Sequence, residues 1–134
     1  MGANRTVLLF EDDLDHVSII SYLLETADFV IVLGDPMAYR ENIVRYRPGV
    51  ILLDQWLSGS LGSTICAELK ADPTTRSIPV ILTSASNRLN QIALDCKPDD
   101  TLPKPFDVDE LVGKVTRLMK IAVRRQSKQR LALP

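Results

Sequence analysis

Short aliphatic runs alternate five times with stretches whose apolar residues recur at helical spacing. The runs at 7–10, 29–33, 50–53 and 80–83 read as strands, with a weaker one at 101–102. Between them, Val17, Ile20 and Leu24 share one helical face, as do Tyr39, Ile43 and Tyr46, then Ile65 with Leu69. Leu111, Val115, Leu118 and Ala122 line a last helix, which Asp107 and Glu110 start in the manner of a capping box. Its pattern runs to about Arg125, where the polar tail is expected to fray. The helix with the weakest pattern covers 87–94 and is limited by Pro98. Alternation of this kind predicts a parallel sheet with crossover helices, and 29–33 and 50–53 have the length of buried strands.

With 134 residues, 46% hydrophobic and 25% charged, the chain has the composition of one soluble globular domain. No apolar run reaches the ~18 residues of a membrane span, and the short run before Glu11, Asp12 and Asp13 has no cleavage site behind it, so a cytoplasmic protein is expected. Met1, Gly2 and Thr6 satisfy a loose myristoylation pattern, but the strand from Val7 needs a free approach and no lipid is expected. Cys66 and Cys96 lie in unrelated contexts without a CxxC spacing, which predicts two reduced, partly buried thiols. The net charge of −1 hides a +5 tail from Lys120 to Arg130. Without interleaved aromatics it reads as a solvated helix end, and no direct nucleic-acid binding is expected.

Ligands of an open parallel sheet bind beyond the carboxyl ends of its strands. The first run ends in Glu11, Asp12 and Asp13, the third in Asp54, the fourth in Thr83, Ser84 and Ala85, and the fifth leads to Lys104. Acids crowded on one rim repel unless a cation sits among them, and all-oxygen ligation suits Mg²⁺. Asp54 is then a candidate nucleophile toward phosphorus, with Lys104 neutralising charge on the transferring group and Ser84 bonding one of its oxygens. Each residue also has an ordinary reading: Asp13 caps a helix, Lys104 opens a turn, and Asp54 starts a loop with Ser58, Gly59 and Gly62. Their joint placement at the strand ends favours the site. His16, the sole histidine, lies away from any second candidate ligand and reads as a surface or rim residue. Residues 59–64 superficially resemble a phosphate loop but lack its lysine.

The segments VLLFEDD, VILLDQWLSGSLG, PVILTSAS and LPKPFDVDEL resemble the receiver domain of two-component response regulators of the stand-alone, chemotaxis-regulator type. The resemblance covers residues 5–122, leaving 123–134 as a basic tail or helix extension. It implies an α/β fold, a flavodoxin-like doubly wound five-stranded parallel sheet with five helices. It implies that Asp54 accepts a phosphoryl group from a histidine kinase or phosphotransfer protein. Glu11, Asp12, Asp54 and the backbone carbonyl of Trp56 would hold Mg²⁺, Ser84 and Lys104 would contact the phosphoryl group, and the Lys104–Pro105 bond would be cis. The implied protein is a cytoplasmic signalling phosphoacceptor, a monomer or weak dimer with no membrane contact. It assists its own phosphoryl transfer and dephosphorylation, and its switched surface meets a downstream effector.

Several positions depart from the family pattern. Thr101 stands where an aromatic is usual, Ser58 where proline often follows, and the stretch from Ser84 to Lys104 is about two residues short. Trp56 and Ser86 fill the two variable positions that tune phosphoryl lifetime, and the indole is a candidate shield against water. Two rival readings follow. One is a receiver-like interaction scaffold that works without phosphorylation, favoured by Thr101 and opposed by the intact acids. The other is a metal-dependent phosphohydrolase, which would need an acid where Trp56 stands.

Overall fold

The computed structural model describes residues 4–132. Met1 and Gly2 of the acylation pattern lie outside the described residues, as does the side chain of Arg130 in the tail. Five parallel strands form one sheet: β1 (Thr6–Phe10), β2 (Val30–Leu33), β3 (Val50–Asp54), β6 (Val80–Ser84) and β7 (Asp100–Pro103). They lie in the order β2-β1-β3-β6-β7. A small antiparallel hairpin, β4 (Trp56–Leu57) with β5 (Ser60–Leu61), follows β3. Helices α1 (Leu14–Thr26), α2 (Tyr39–Tyr46), α3 (Gly62–Ala71), α4 (Leu89–Cys96) and α5 (Val108–Ala132) make the crossovers, and a 3₁₀ turn (Pro36–Ala38) precedes α2.

Strand periodicity divides the core. Val7, Leu9, Val50, Leu52 and Ile81 face α1 and α5, where they meet Ile20, Leu24, Leu111, Val115 and Leu118. Leu8, Phe10, Ile51, Leu53 and Leu82 face the other way, onto Ile43, Ile65, Leu69 and Leu89. The central strands are buried on both faces, which is why their sequences read as unbroken apolar runs. β2 differs from the expectation of a buried strand. It is a sheet edge, paired only to β1, and Val30 and Leu33 are half exposed.

Helix ends explain the other boundaries. Asp13 caps α1, accepting the N–H groups of Asp15 and His16, and Asp107 caps α5 by accepting that of Glu110 at 2.8 Å. α4 starts two residues later than expected because Ser86 Oγ accepts the Arg88 N–H in a turn of its own. It ends on Lys97, whose left-handed φ of 53° precedes Pro98. α5 does not fray near Arg125 but continues to Ala132. No glycine or proline interrupts 123–132, and the Arg125 guanidinium is bound rather than solvated: it donates to Ser77 O at 2.8 Å and Asp99 Oδ1 at 3.2 Å.

That last contact belongs to a network at the amino ends of the strands. Lys70 Nζ donates to Ile78 O at 2.9 Å and to Asp99, which also accepts the Val80 N–H at 2.8 Å. One carboxylate thus ties α3, β6 and α5 together. Cys66 and Cys96 are likewise closer than expected. Both are buried between α3 and α4, Cys66 Sγ lies 3.3 Å from Cys96 O, and burial pushes both thiols up.

Asp99→Ala is expected to cost about 3 kcal/mol of unfolding free energy, because it strands the Lys70 ammonium. The double variant Lys70→Met/Asp99→Leu should recover part of that loss in the same urea titration.

Candidate functional site

Register brings the rim together. Phe10 pairs with Leu53, and Asp54 with Thr83, so the residues after β1 and the last residue of β3 stand side by side. Asp54 and Thr83 also point to the same face, since each lies an even number of residues from core positions on the α1 side (Leu52 and Ile81). β7 pairs with β6 through Ser84 and Pro103, and Ser84 O accepts the Lys104 N–H at 2.9 Å. The lysine side chain therefore starts at the rim, and the Lys104–Pro105 peptide bond is cis.

Lys104 Nζ lies 2.5 Å from Glu11 Oε1, 2.9 Å from Asp54 Oδ1 and 3.3 Å from His16 Nδ1. Burial alone would push this ammonium's pKa down, but its bonds to Glu11 and Asp54 and their charges outweigh burial and raise it. Glu11 and Asp54 are each only 7% exposed. Asp54 Oδ1 accepts a second hydrogen bond, from Thr83 Oγ1 at 3.2 Å, while Oδ2 accepts the Trp56 N–H at 3.1 Å. Asp12 is exposed and accepts the Ser58 N–H. Ser84 Oγ accepts the Ser86 N–H at 3.0 Å and lies on the face of β6 opposite to Asp54, that of Leu82. Asp13 is a helix cap, its carboxyl held below the usual range by the His16 N–H and then the Asp15 N–H.

The backbone of Asp54 is clamped from α3. Leu61 at the N-cap of α3 offers no side-chain acceptor. Gln55 supplies one instead: its Oε1 accepts the Ser63 N–H at 2.7 Å and its Nε2 donates to Ser63 Oγ at 2.9 Å. Gln55 O also accepts the Gly62 N–H, and a Cβ at Gly62 would lie 2.2 Å from Asp54 O. Only glycine lets α3 approach this closely.

Of the residues singled out from sequence, Glu11, Asp54 and Lys104 meet, Asp12 stands beside them, and Ser84 is turned aside. Three contacts were missed. His16 lies at the lysine rather than away from the other candidates, because one turn of α1 returns it over Glu11 at 3.4 Å. Thr83, set aside as a strand residue, touches Asp54; period-two alternation combined with register would have found it. Gln55 carried no motif, and its role follows from the missing α3 cap.

Two buried carboxylates, Glu11 and Asp54, face one ammonium here and the exposed Asp12 stands at the same rim, so the rim holds excess negative charge on hard oxygen donors, the chemistry that Mg²⁺ takes. Among the described residues no three acidic, histidine or cysteine side chains are arranged about one point. Lys104 occupies the space between Glu11 and Asp54, and the Ser58 N–H holds Asp12. Replacing Lys104 by Met is expected to lower stability near neutral pH by about 2 kcal/mol, since two buried carboxylates lose their cation. Because the folded-state pKa of Lys104 is raised, its contribution is fully present below the ordinary value of 10.5 and lost as pH rises through the higher one. Urea titrations of the two proteins should therefore converge only at strongly alkaline pH.

Residues 7–116 match the family model of the response regulator receiver domain. The chain is 31% identical over 117 residues to the DNA-binding dual master transcriptional regulator RpaA of Synechocystis sp., covering 85% of this chain and 48% of that protein. It is 31% identical over 119 residues to the phosphate regulon transcriptional regulatory protein PhoB of Pseudomonas aeruginosa, covering 87% and 52%. It thus spans about half the length of these relatives. A putative response regulator from Chloroflexus aurantiacus superposes with a TM-score of 0.80 at 22% identity, over 87% of this chain and 98% of that one. The receiver domain of a Pseudomonas aeruginosa PAO1 sensor histidine kinase superposes with a TM-score of 0.76 at 27% identity, over 88% and 99%, and has magnesium coordinated in its active site cleft. With the family model spanning residues 7–116, this chain belongs to the receiver domain family of two-component response regulators, whose members are phosphoacceptors.

Proposed function

We propose that Asp54 accepts a phosphoryl group from the phosphohistidine of a sensor kinase or phosphotransfer protein, and that the change in its charge re-sorts the hydroxyls around it. The observation that carries this reading is the Asp54 carboxylate, buried at the end of β3 with Lys104 Nζ at 2.9 Å. A carboxylate oxygen bonds phosphorus, the P–N bond breaks, and its electron pair leaves with the imidazole. Lys104 balances charge on the transferring group from the Oδ1 side, and the Trp56 N–H is aimed at the other carboxylate oxygen, Oδ2. Glu11, Asp12, Asp54 and the Trp56 carbonyl would hold Mg²⁺, which when bound neutralises phosphoryl oxygens.

The output step uses Ser84. Its hydroxyl oxygen holds the Ser86 N–H, and Ser86 Oγ in turn holds the Arg88 N–H just before α4. Turning Ser84 toward a phosphoryl oxygen releases the first of these turns and so biases the start of α4. Thr101 contributes no aromatic lever; its carbonyl is bound by Lys114 Nζ at 2.5 Å. The receiver unit comprises residues 5–122, with 123–134 as its basic tail, of which 123–132 continue the last helix. Its effector is a protein, contacted without direct binding to nucleic acid or membrane, by a cytoplasmic monomer or weak dimer. Among the described residues no helix is long and apolar enough to cross a membrane.

Intact mass after incubation with acetyl phosphate is expected to show one phosphoryl increment that needs Mg²⁺ and is absent in Asp54→Asn. No increment together with no Mg²⁺ binding would instead favour the phosphorylation-independent scaffold. The Trp56 indole, 62% exposed beside the acceptor, is proposed to slow water's approach. Trp56→Ala should lose its phosphoryl group faster than the parent, and an unchanged rate would remove the shielding role.

A further inference from the structure

Thr83 is 3% exposed, and its hydroxyl donates to Asp54 Oδ1, the oxygen that Lys104 also binds. Its placement is fixed by the sheet: Thr83 is the register partner of Asp54 and shares its face, with a fully buried strand on either side of the contact. The two carboxylate oxygens are therefore unlike. Oδ2 has the Trp56 N–H on it, and Oδ1 has an ammonium and a hydroxyl. When Oδ2 carries phosphorus, Oδ1 is the carbonyl oxygen of the acyl phosphate.

We propose that Thr83 is a catalytic residue that shortens the lifetime of the phosphorylated state, by donating to the Asp54 oxygen on which charge grows as the phosphoryl group departs. The inference rests on Asp54 being the phosphoacceptor. In hydrolysis the water oxygen bonds phosphorus, the P–Oδ2 bond breaks, and its electron pair returns to the carboxylate. The water's protons leave with inorganic phosphate. Negative charge on Oδ1 rises from that of a neutral carbonyl to that of a carboxylate, and hydrogen bonds to ionised acceptors are roughly twice as strong as neutral ones. The Thr83 bond is thus stronger in the transition state than in the acyl phosphate, which is the condition for rate acceleration. In the forward direction the same bond is strongest to the free carboxylate and weakens as phosphorus is taken on, so it restrains loading. Ser84, on the opposite face of β6 and bonded to Ser86, does not supply this donor.

The test uses the full chain with acetyl phosphate and Mg²⁺, followed by donor removal and intact mass against time, for the parent, Thr83→Val, Thr83→Ser, Thr83→Ala and Asp54→Asn. Thr83→Val keeps the shape and removes the donor, and its phosphoryl half-life should be about five-fold longer than the parent's, with loading at least as fast. Thr83→Ala lacks the donor as well and should change in the same direction. Thr83→Ser retains it and should stay within about two-fold of the parent. Urea midpoints of the unmodified proteins identify any variant that does not fold; Val and Ala provide independent donor deletions, and Ser reports on the donor itself. A parent-like half-life in the folded donor deletions overturns the inference while leaving Asp54 as acceptor. A serine variant as slow as valine overturns it too, by assigning the effect to packing. An unlabelled parent, or label persisting in Asp54→Asn, overturns the acceptor reading and this inference with it.

Discussion

The Lys104 ammonium, held between Glu11 and Asp54, is the interaction on which the rest of the rim depends. Two carboxylates this buried repel one another strongly in the low local dielectric, and the sheet order leaves them no room to separate. β1 and β3 are neighbours at the centre, so their carboxyl ends must lie together. The lysine comes from beyond β7, two strands from β3, and reaches the acids because Ser84 O fixes its backbone at the top of β6. Topology thus creates the crowding and also delivers the cation that relieves it.

The two ends of the sheet are built differently. At the amino ends, Asp99 accepts Lys70, Arg125 and the Val80 N–H, so its charge and lone pairs are matched by fixed partners. At the carboxyl ends, Asp12 is exposed with a single backbone donor, and Glu11, Asp12 and Asp54 outnumber the one ammonium. Negative charge left over at one end, on donors that α3 holds through Gln55 and Gly62, is what a cation or a phosphoryl group with its counter-ion can exploit. A satisfied network would have nothing to gain from either.

Much of the fold was legible in the sequence because parallel strands buried on both faces leave apolar runs, and such runs are hard to mistake when Asp54 or Ser84 closes them. The meeting of Glu11, Asp54 and Lys104 followed from strand ends alone. What escaped had a different origin. β2 has the same aliphatic residues as a buried strand, and only its place in the sheet order exposes Val30 and Leu33. The end of α5 depends on Arg125 finding Asp99, a contact across 26 residues that local composition does not encode. His16 and Thr83 were misplaced because each was weighed by its own neighbours in the chain. The first is set by a turn of helix and the second by register.

The same geometry bears on how a signal leaves the site. In this chain the position before Leu102 is Thr101, whose carbonyl is tied to Lys114 while Asp100 pairs with Lys114 and Arg117. Around Thr101 the β7–α5 junction is thus held by ion pairs and a backbone acceptor, with no ring at that position to change rotamer, and the ring that the junction does carry, Phe106, packs against the core on the α1 side. A ligand or modification shifts a conformational equilibrium only through contacts that differ between the two states. On the proposed reading the hydroxyl at the strand end that changes partners is Ser84, and the two short turns from Ser84 to Ser86 and from Ser86 to Arg88 lead directly into α4. On the proposed reading, the division of labour is therefore between adjacent residues of one strand. Thr83, on the Asp54 face, governs how long the phosphoryl group stays, and Ser84, on the other, governs what the helix beyond it does.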